Sequence, residues 1–310
     1  MDLPARHRRL HRQLARIPAV CAAVGVLFAP FATIAAQAQP AVRSATTTPT
    51  CGSSVLVKAN GTPWSCTFDD EFAGSTLDTT QWTAMDSSAT GYTTGVDCYA
   101  PRQVTVSGNE LVLTTNRLIK PTPCLGTPVT SQYLTGMVTS KNLFSQTYGR
   151  FEMRARLPSG SGVHPVFWML PSSPSQSGSY EYGEIDVAEA YGATPNYVSP
   201  HLHYVITPGT PSGGKTCYVR NTKFVDHTYA LEWTPTQMSF IYDGTPCWTT
   251  SWAPAYPYAP QGATSPVPFD QPFYLIVQLA VDGPNVPFNQ ISPSTYLPAK
   301  MYVDYIRAWQ

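Results

Sequence analysis

Three carboxylates stand within six residues at Glu184, Asp186 and Glu189, in the stretch Gly183-Glu184-Ile185-Asp186-Val187-Ala188-Glu189. Packed together they repel one another and lose hydration, so a chain that keeps them on one strand needs a chemical reason. Carboxylates flanking a single bond can divide the work, one attacking as an anion while a protonated partner serves the leaving group. A regular strand sends Glu184 and Asp186 to one face and Ile185 and Val187 to the other. Strict alternation would then bury Glu189. One extra residue, a β-bulge at Val187-Ala188, returns it to the acidic face. Tyr180, Tyr182 and Tyr191 place aromatic surface on either side of the row.

The elements that must hold this row read as short strands. Alternation and turn residues predict strands over 67–72, 103–106, 110–116, 135–140, 149–157, 166–170, 184–189, 199–206, 227–233, 238–242, 273–279 and 301–309. Turns at Ser107-Gly108-Asn109 and Tyr242-Asp243-Gly244 separate neighbours. In Tyr148–Leu157, Phe151, Met153, Ala155 and Leu157 share one face and the charges take the other. No stretch has sustained helical periodicity and no period repeats, so the expectation is one large antiparallel β-sandwich over residues 51–310. The Pro- and Tyr-rich segment Ala253–Asp270 reads as a surface excursion, a candidate cleft rim.

Lys+Arg and Asp+Glu both number 19 in 310 residues, which gives no electrostatic footprint for nucleic acid or an anionic membrane. Charged residues are only 12%, while Tyr (18), Pro (30) and Gly (21) are abundant, as suits a turn-rich chain with aromatic surface. Arg6, Arg8, Arg9, Arg12 and Arg16 precede an apolar run from about Ile17 to Ala36, so residues 1–38 are expected to be a secretory signal peptide cleaved after Ala38. The alternative is an uncleaved membrane anchor. Residues 39–50 are expected to be a disordered leader, and the protein to be secreted. Cys51, Cys66, Cys98, Cys124, Cys217 and Cys247 lie beyond the signal, and six cysteines allow 15 pairings. Proximity favours Cys51–Cys66, Cys98–Cys124 and Cys217–Cys247. Zinc is disfavoured, because His201-Leu202-His203 has no obvious third ligand in sequence.

Together with the acidic stretch, Tyr148-Gly149-Arg150-Phe151-Glu152, Phe167-Trp168-Met169-Leu170-Pro171, His203-Tyr204, Tyr229–Pro235, Asp243-Gly244, Gln271–Ile276 and Val303-Asp304-Tyr305-Ile306-Arg307 make the chain resemble glycoside hydrolase family 16. The resemblance implies a concanavalin A-like β-jelly-roll with a carbohydrate cleft on its concave face. Residue by residue it implies Glu184 as nucleophile, Asp186 as the assisting carboxylate and Glu189 as general acid/base, in the bulged, laminarinase-like branch. Neighbouring negative charge is then expected to keep Glu189 protonated near neutral pH. For substrate binding the resemblance implies Trp168, stacked on a sugar face, and His203 in the cleft; Gln278 and Glu232 are further candidates. Glu71 and Asp304 are candidate ligands for a structural calcium, with a carbonyl near Gly108; no cofactor is expected for catalysis.

Three departures bear on specificity. His164-Pro165 stands where many β-1,3-glucanases have Trp-Pro, Met137 where they commonly carry a sugar-binding arginine, and Cys98-Tyr99-Ala100-Pro101 in place of a polar stretch. His164 is therefore a candidate specificity residue. Gly209–Thr216 fits the written P-loop pattern, but Cys217-Tyr218-Val219-Arg220 looks like strand where phosphate binding needs a helix, so no nucleotide is expected. The expectation is a monomeric, secreted, retaining endo-β-glycoside hydrolase whose partner is a polysaccharide, foremost a β-1,3-glucan. The alternatives are a transglycosylase on the same intermediate and a non-catalytic carbohydrate-binding protein.

Overall fold

The computed structural model describes residues 50–53, 55–124, 130–172, 183–204, 213–252 and 267–310. The expected signal peptide, nearly all of the leader, Tyr180, Tyr182 and most of the 253–270 excursion lie outside them. Among the described residues seventeen strands, numbered in chain order, form two sheets, as a chain dominated by period-2 patterning requires. The first runs, in spatial order, β12 (Cys217–Tyr218), β11 (Tyr197–His203), β10 (Glu184–Ala190), β9 (Val163–Pro171), β16 (Phe273–Val281), β7 (Met137–Thr139) and β2 (Thr83–Ala84). The second runs β15 (Thr245–Thr250), β14 (Met238–Tyr242), β13 (His227–Trp233), β8 (Gly149–Arg156), β17 (Ala299–Trp309), β5 (Glu110–Pro123), β6 (Thr130–Thr135) and β3 (Asp97–Tyr99). There β1 (Cys66–Asp70) flanks β17 and β4 (Val104–Ser107) flanks β5. This is the expected jelly-roll sandwich.

The two sheets bury a shared core. Phe151, Met153 and Ala155 of β8, Leu231 and Trp233 of β13, and Val303 and Ile306 of β17 meet Phe167 and Met169 of β9, Ile185 and Val187 of β10 and Leu275 and Val277 of β16. Each such large side chain contributes roughly 1.5–3 kcal/mol by leaving water. The opposite face of the first sheet is also apolar: Val166, Trp168, Leu170, Tyr274 and Ile276 cluster with Met137 and Tyr99. That second cluster forms a firm floor beside the acidic row.

The strand pattern differs from expectation at its weakest signals. The predicted 135–140 strand is two strands in different sheets, β6 ending at Thr135 and β7 starting at Met137. Gly136 makes the crossing, where any Cβ would lie 2.5 Å from the Gln103 carbonyl oxygen. β2, β3, β6 and β15 were not predicted; they are two to six residues long, while β12 falls within the expected strand-like stretch Cys217–Arg220. Pro246 is tolerated in β15 because that strand is a sheet edge. A four-residue helix, Ser87–Thr90, also forms, capped by the Asp86 side chain. Both expected turns close hairpins, with Ser107 opposite Glu110 and Tyr242 opposite Thr245. All three favoured disulfides are present. Lys215 is followed by β12, paired to β11, and not by a phosphate-cradling helix. No helix among the described residues is long and apolar enough to cross a membrane.

Candidate active site

Glu184, Asp186 and Glu189 form one row on β10, and the bulge is where alternation demands it. Against β9, Asp186 pairs with Trp168 and Ala188 with Phe167, so two residues of β10 face one of its neighbour. Val187 and Ala188 both enter the inter-sheet core, which resets the phase and returns Glu189 to the acidic face. A bulge also interrupts the ladder, and the second sheet answers it: the buried Tyr242 hydroxyl on β14 donates to the Val187 carbonyl at 2.9 Å. Before the row, Gly183 has φ +87°, and a Cβ there would fall 2.8 Å from the Phe269 ring.

The partners of the three acids differ. Asp186 is 4% exposed and faces His203, whose Nε2 lies 3.0 Å from Oδ2. Glu184 sits 3.8 Å from the same nitrogen. Glu189 is met from three sides: His164 Nε2 at 3.0 Å and the Tyr191 hydroxyl at 2.7 Å, both on Oε1, and His201 Nδ1 at 2.7 Å on Oε2. These side chains converge because the strands are in register, with Glu184 opposite His203, Asp186 opposite His201 and Ala280 opposite His164.

The electrostatics follow from those contacts. Burial, then the charge of Asp186, pushes the Glu184 carboxyl up to about 8, with His203 opposing. Burial likewise raises Asp186 against the pull of His203. Burial would raise Glu189 too, but the hydrogen bonds from His164 and His201 overcome it and hold that carboxyl well below the usual range. The expectation of a protonated Glu189 in the resting cleft is thus corrected, because two imidazoles outweigh burial. Burial would pull His203 down, yet its bond to Asp186 pushes it up to about 9.

The remaining candidates divide by sheet. Trp168 lies on the cleft floor, 7% exposed, and its indole N–H has no hydrogen-bond partner among the described residues. Gln278 is on the same face, in register with Val166 and Met137, and its Oε1 accepts from the Tyr99 hydroxyl at 3.4 Å. Glu232 is not in the cleft: it sits on β13 in the second sheet and pairs with Arg150 at 2.7 Å. The candidate calcium ligands face guanidinium groups in this structure. Glu71 is held by Arg307 at 2.6 and 2.9 Å, and Asp304 by Arg154 at 2.5 Å, so both charges are already met by guanidinium groups. Asp186, His201 and His203 do bring ligand-type atoms within 4.8 Å of one another. His201 and His203 are however committed to Glu189 and Asp186, and the trio belongs to the acid network rather than forming a ligand set.

Sequence reasoning placed Tyr191 beside the row only as aromatic surface and His201 only in a disfavoured zinc pair, and it missed Asp282 and Asn289 as members of the site. His201 shares the face of His203 by period 2, and Asp282 shares that of Gln278, so alternation carried the signal. A hollow of about 420 Å³ lined by Tyr191, Ser199, His201 and Phe288 adjoins Glu189. A second of about 420 Å³, beside the Cys98–Cys124 bridge, contains none of the three acids.

Two sheets, antiparallel throughout except where β3 pairs with β6, with an acidic row and an aromatic floor on one face, are the build of a β-sandwich glycosidase. Residues 93–271 match the family described as Glycosyl hydrolases family 16, and the chain belongs to that family. It is 35% identical over 190 residues to a beta-glucanase of Rhodothermus marinus, covering 58% of this chain and 63% of that one. Identity to glucan endo-1,3-beta-glucosidase A1 of Niallia circulans is 31% over 268 residues, covering 78% of this chain but 37% of the relative. The chain therefore spans less than two thirds of the length of either. The laminarinase structure from Rhodothermus marinus superimposes with a TM-score of 0.67 at 29% identity, over 80% of this chain and 97% of that one.

Proposed function

We infer that this chain is a secreted, endo-acting β-glycoside hydrolase that cleaves a β-1,3-glucan with retention of configuration. The observation that carries the reading is the bulged row itself: Glu184 and Glu189 on one face of β10, on either side of Asp186, beside an apolar, aromatic floor. In a retaining double displacement one carboxylate attacks the anomeric carbon and a second protonates the leaving oxygen, the two standing about 5–5.5 Å apart. Glu184 takes the first role and Glu189 the second, while Asp186 steadies the nucleophile. Attack requires Glu184 to have lost its proton and Glu189 to have gained one. The family membership and the relatives named as glucanases support the substrate class, and the apolar run before residue 38 supports export.

Proton NMR of laminarin digestion tests this reading. The first-formed reducing ends are expected in the β configuration, with internal cleavage shortening the chains from the start. Inverted α products, or no reducing ends from laminarin while another glycan is cut, would overturn it.

A further inference from the structure

Behind Glu189 runs a buried chain of hydrogen bonds that the double displacement as stated does not use. Asn289, fully buried, donates from Nδ2 to Asp282 Oδ2 at 2.8 Å and is itself anchored to the Val163 carbonyl at 3.2 Å. Asp282 Oδ1 faces His164 Nδ1 at 3.0 Å, and His164 Nε2 faces Glu189 Oε1 at 3.0 Å. The imidazole ring lies nearly parallel to Tyr191, 4.4 Å between centroids, which fixes its plane.

An imidazole nitrogen facing an ionised carboxylate is satisfied only if it carries hydrogen, because the carboxylate can only accept. With carboxylates at both ring nitrogens, His164 is satisfied as the imidazolium. Each end of the chain is pinned by backbone or packing, so the ring cannot turn to find other partners. Other groups act on it as well. Asp97, fully buried, is driven well above the carboxylate range, first by burial and further by Asp282, against backbone hydrogen bonds and the charge of His164. His201 meets the other oxygen of Glu189 at 2.7 Å, and burial, joined by the Glu189 charge, in turn raises Asp186.

From this geometry we propose that His164, locked by Asp282, is a positioning residue that stores the proton Glu189 uses as general acid. The proposal rests on the reading of Glu189 as acid/base. The proton passes from His164 Nε2 to Glu189, and Glu189 gives it to the glycosidic oxygen. The C1–O bond breaks with its electron pair going to that oxygen, while a Glu184 oxygen bonds to C1. His164 is left neutral, its Nδ1–H still donated to Asp282. In the second half a water loses a proton to Glu189 as its oxygen bonds to C1 and the bond to Glu184 breaks. That proton returns to His164 Nε2 and the cycle closes. Burial would lower the His164 imidazolium, but the hydrogen bonds to Asp282 and Glu189 push it up to about 10. The store is therefore full at the pH where Glu184 ionises.

Two measurements on the full chain test this. By nitrogen-15 NMR at pH 8, both ring nitrogens of His164 are expected to be protonated; a neutral ring would overturn the proposal while leaving the hydrolase reading intact. Steady-state kinetics then compare laminarin with a 2,4-dinitrophenyl β-laminaribioside, whose leaving group needs no proton. His164→Gln is expected to lower kcat/KM on laminarin by about 100-fold or more, with a loss on the dinitrophenyl substrate at least about tenfold smaller. Asp282→Asn is expected to move the alkaline limb of the wild-type profile down by about one pH unit or more. Equal losses on the two substrates, or an unmoved limb, would make His164 a merely structural contact. Absence of wild-type activity on both substrates would instead sink the hydrolase reading and the proposal with it.

Discussion

The two sheets of this sandwich treat their acids in opposite ways. On the second sheet Arg150, Arg154 and Arg156 alternate along β8 and meet Glu152, Glu232, Asp226, Asp304 and Glu110 at 2.5–3.2 Å. On the first sheet Glu184, Asp186 and Glu189 are met by histidine and tyrosine. A guanidinium holds its proton at any physiological pH, so the acids of the second sheet have fixed charges. Imidazole can give its proton up, so those of the cleft can exchange. The same fold thus builds one surface for stability and one for proton traffic. Partner identity separates them better than exposure does, since Asp186 and Glu152 are both buried.

The contrast can be broken by substitution. The largest effect is expected at the cleft acids. Glu184→Gln should remove laminarin hydrolysis by about 1,000-fold or more, and Glu189→Gln should reduce it by on the order of 100- to 10,000-fold, both in folded protein. Circular dichroism with reducing-sugar assays checks this, and full activity in either would return the row to a structural role. Next comes the tie between sheets. Tyr242→Phe strands the Val187 carbonyl and should cost about 1–3 kcal/mol of stability, with kcat falling as Glu189 loses its fixed position. Urea unfolding alongside kinetics reads both; an unchanged kcat would show that the bulge holds its shape unaided. The smallest effect is expected on the second sheet. Arg154→Ala removes the Asp304 pair, about one-third exposed on either side, and a longer contact to Asp226, which keeps Arg156, and should change stability by no more than about 1 kcal/mol, with kcat/KM unmoved.

The pH dependence sharpens the same contrast. Glu184 is raised to about 8 and must be ionised to attack, so kcat/KM should rise as pH climbs through about 8. His164 is raised to about 10 and must be protonated to supply Glu189, so the rate should fall as pH climbs through about 10. The second sheet should contribute nothing to either limb. A kcat/KM profile that peaks below pH 6 would contradict this ordering, because kcat/KM reports the ionisations of the free cleft.

Much of this was legible in the sequence. The phase slip needed to keep Glu189 beside Glu184 demanded the bulge, and the alternation of β8 gave its two faces, because one-sided burial leaves a strong period-2 trace. Strands with little such trace were missed. β2 is two residues long, and β15 carries proline at a sheet edge. The ionisation of Glu189 was also missed, because it depends on residues 25 positions before it and 12 after it, and their convergence is a matter of register. Glu232 was misplaced for a related reason: its neighbours Leu231 and Trp233 marked the strand but not the sheet to which it belongs.

The central claim is that β10 cuts by covalent attack from Glu184, and a trapped intermediate tests it most directly. The protein is treated with a 2-deoxy-2-fluoro-β-laminaribiosyl fluoride, digested, and mapped by mass spectrometry. The account predicts one glycosyl adduct, on Glu184. An adduct on Glu189, the carboxylate that the resting cleft keeps ionised, would contradict it and exchange the roles of the two acids.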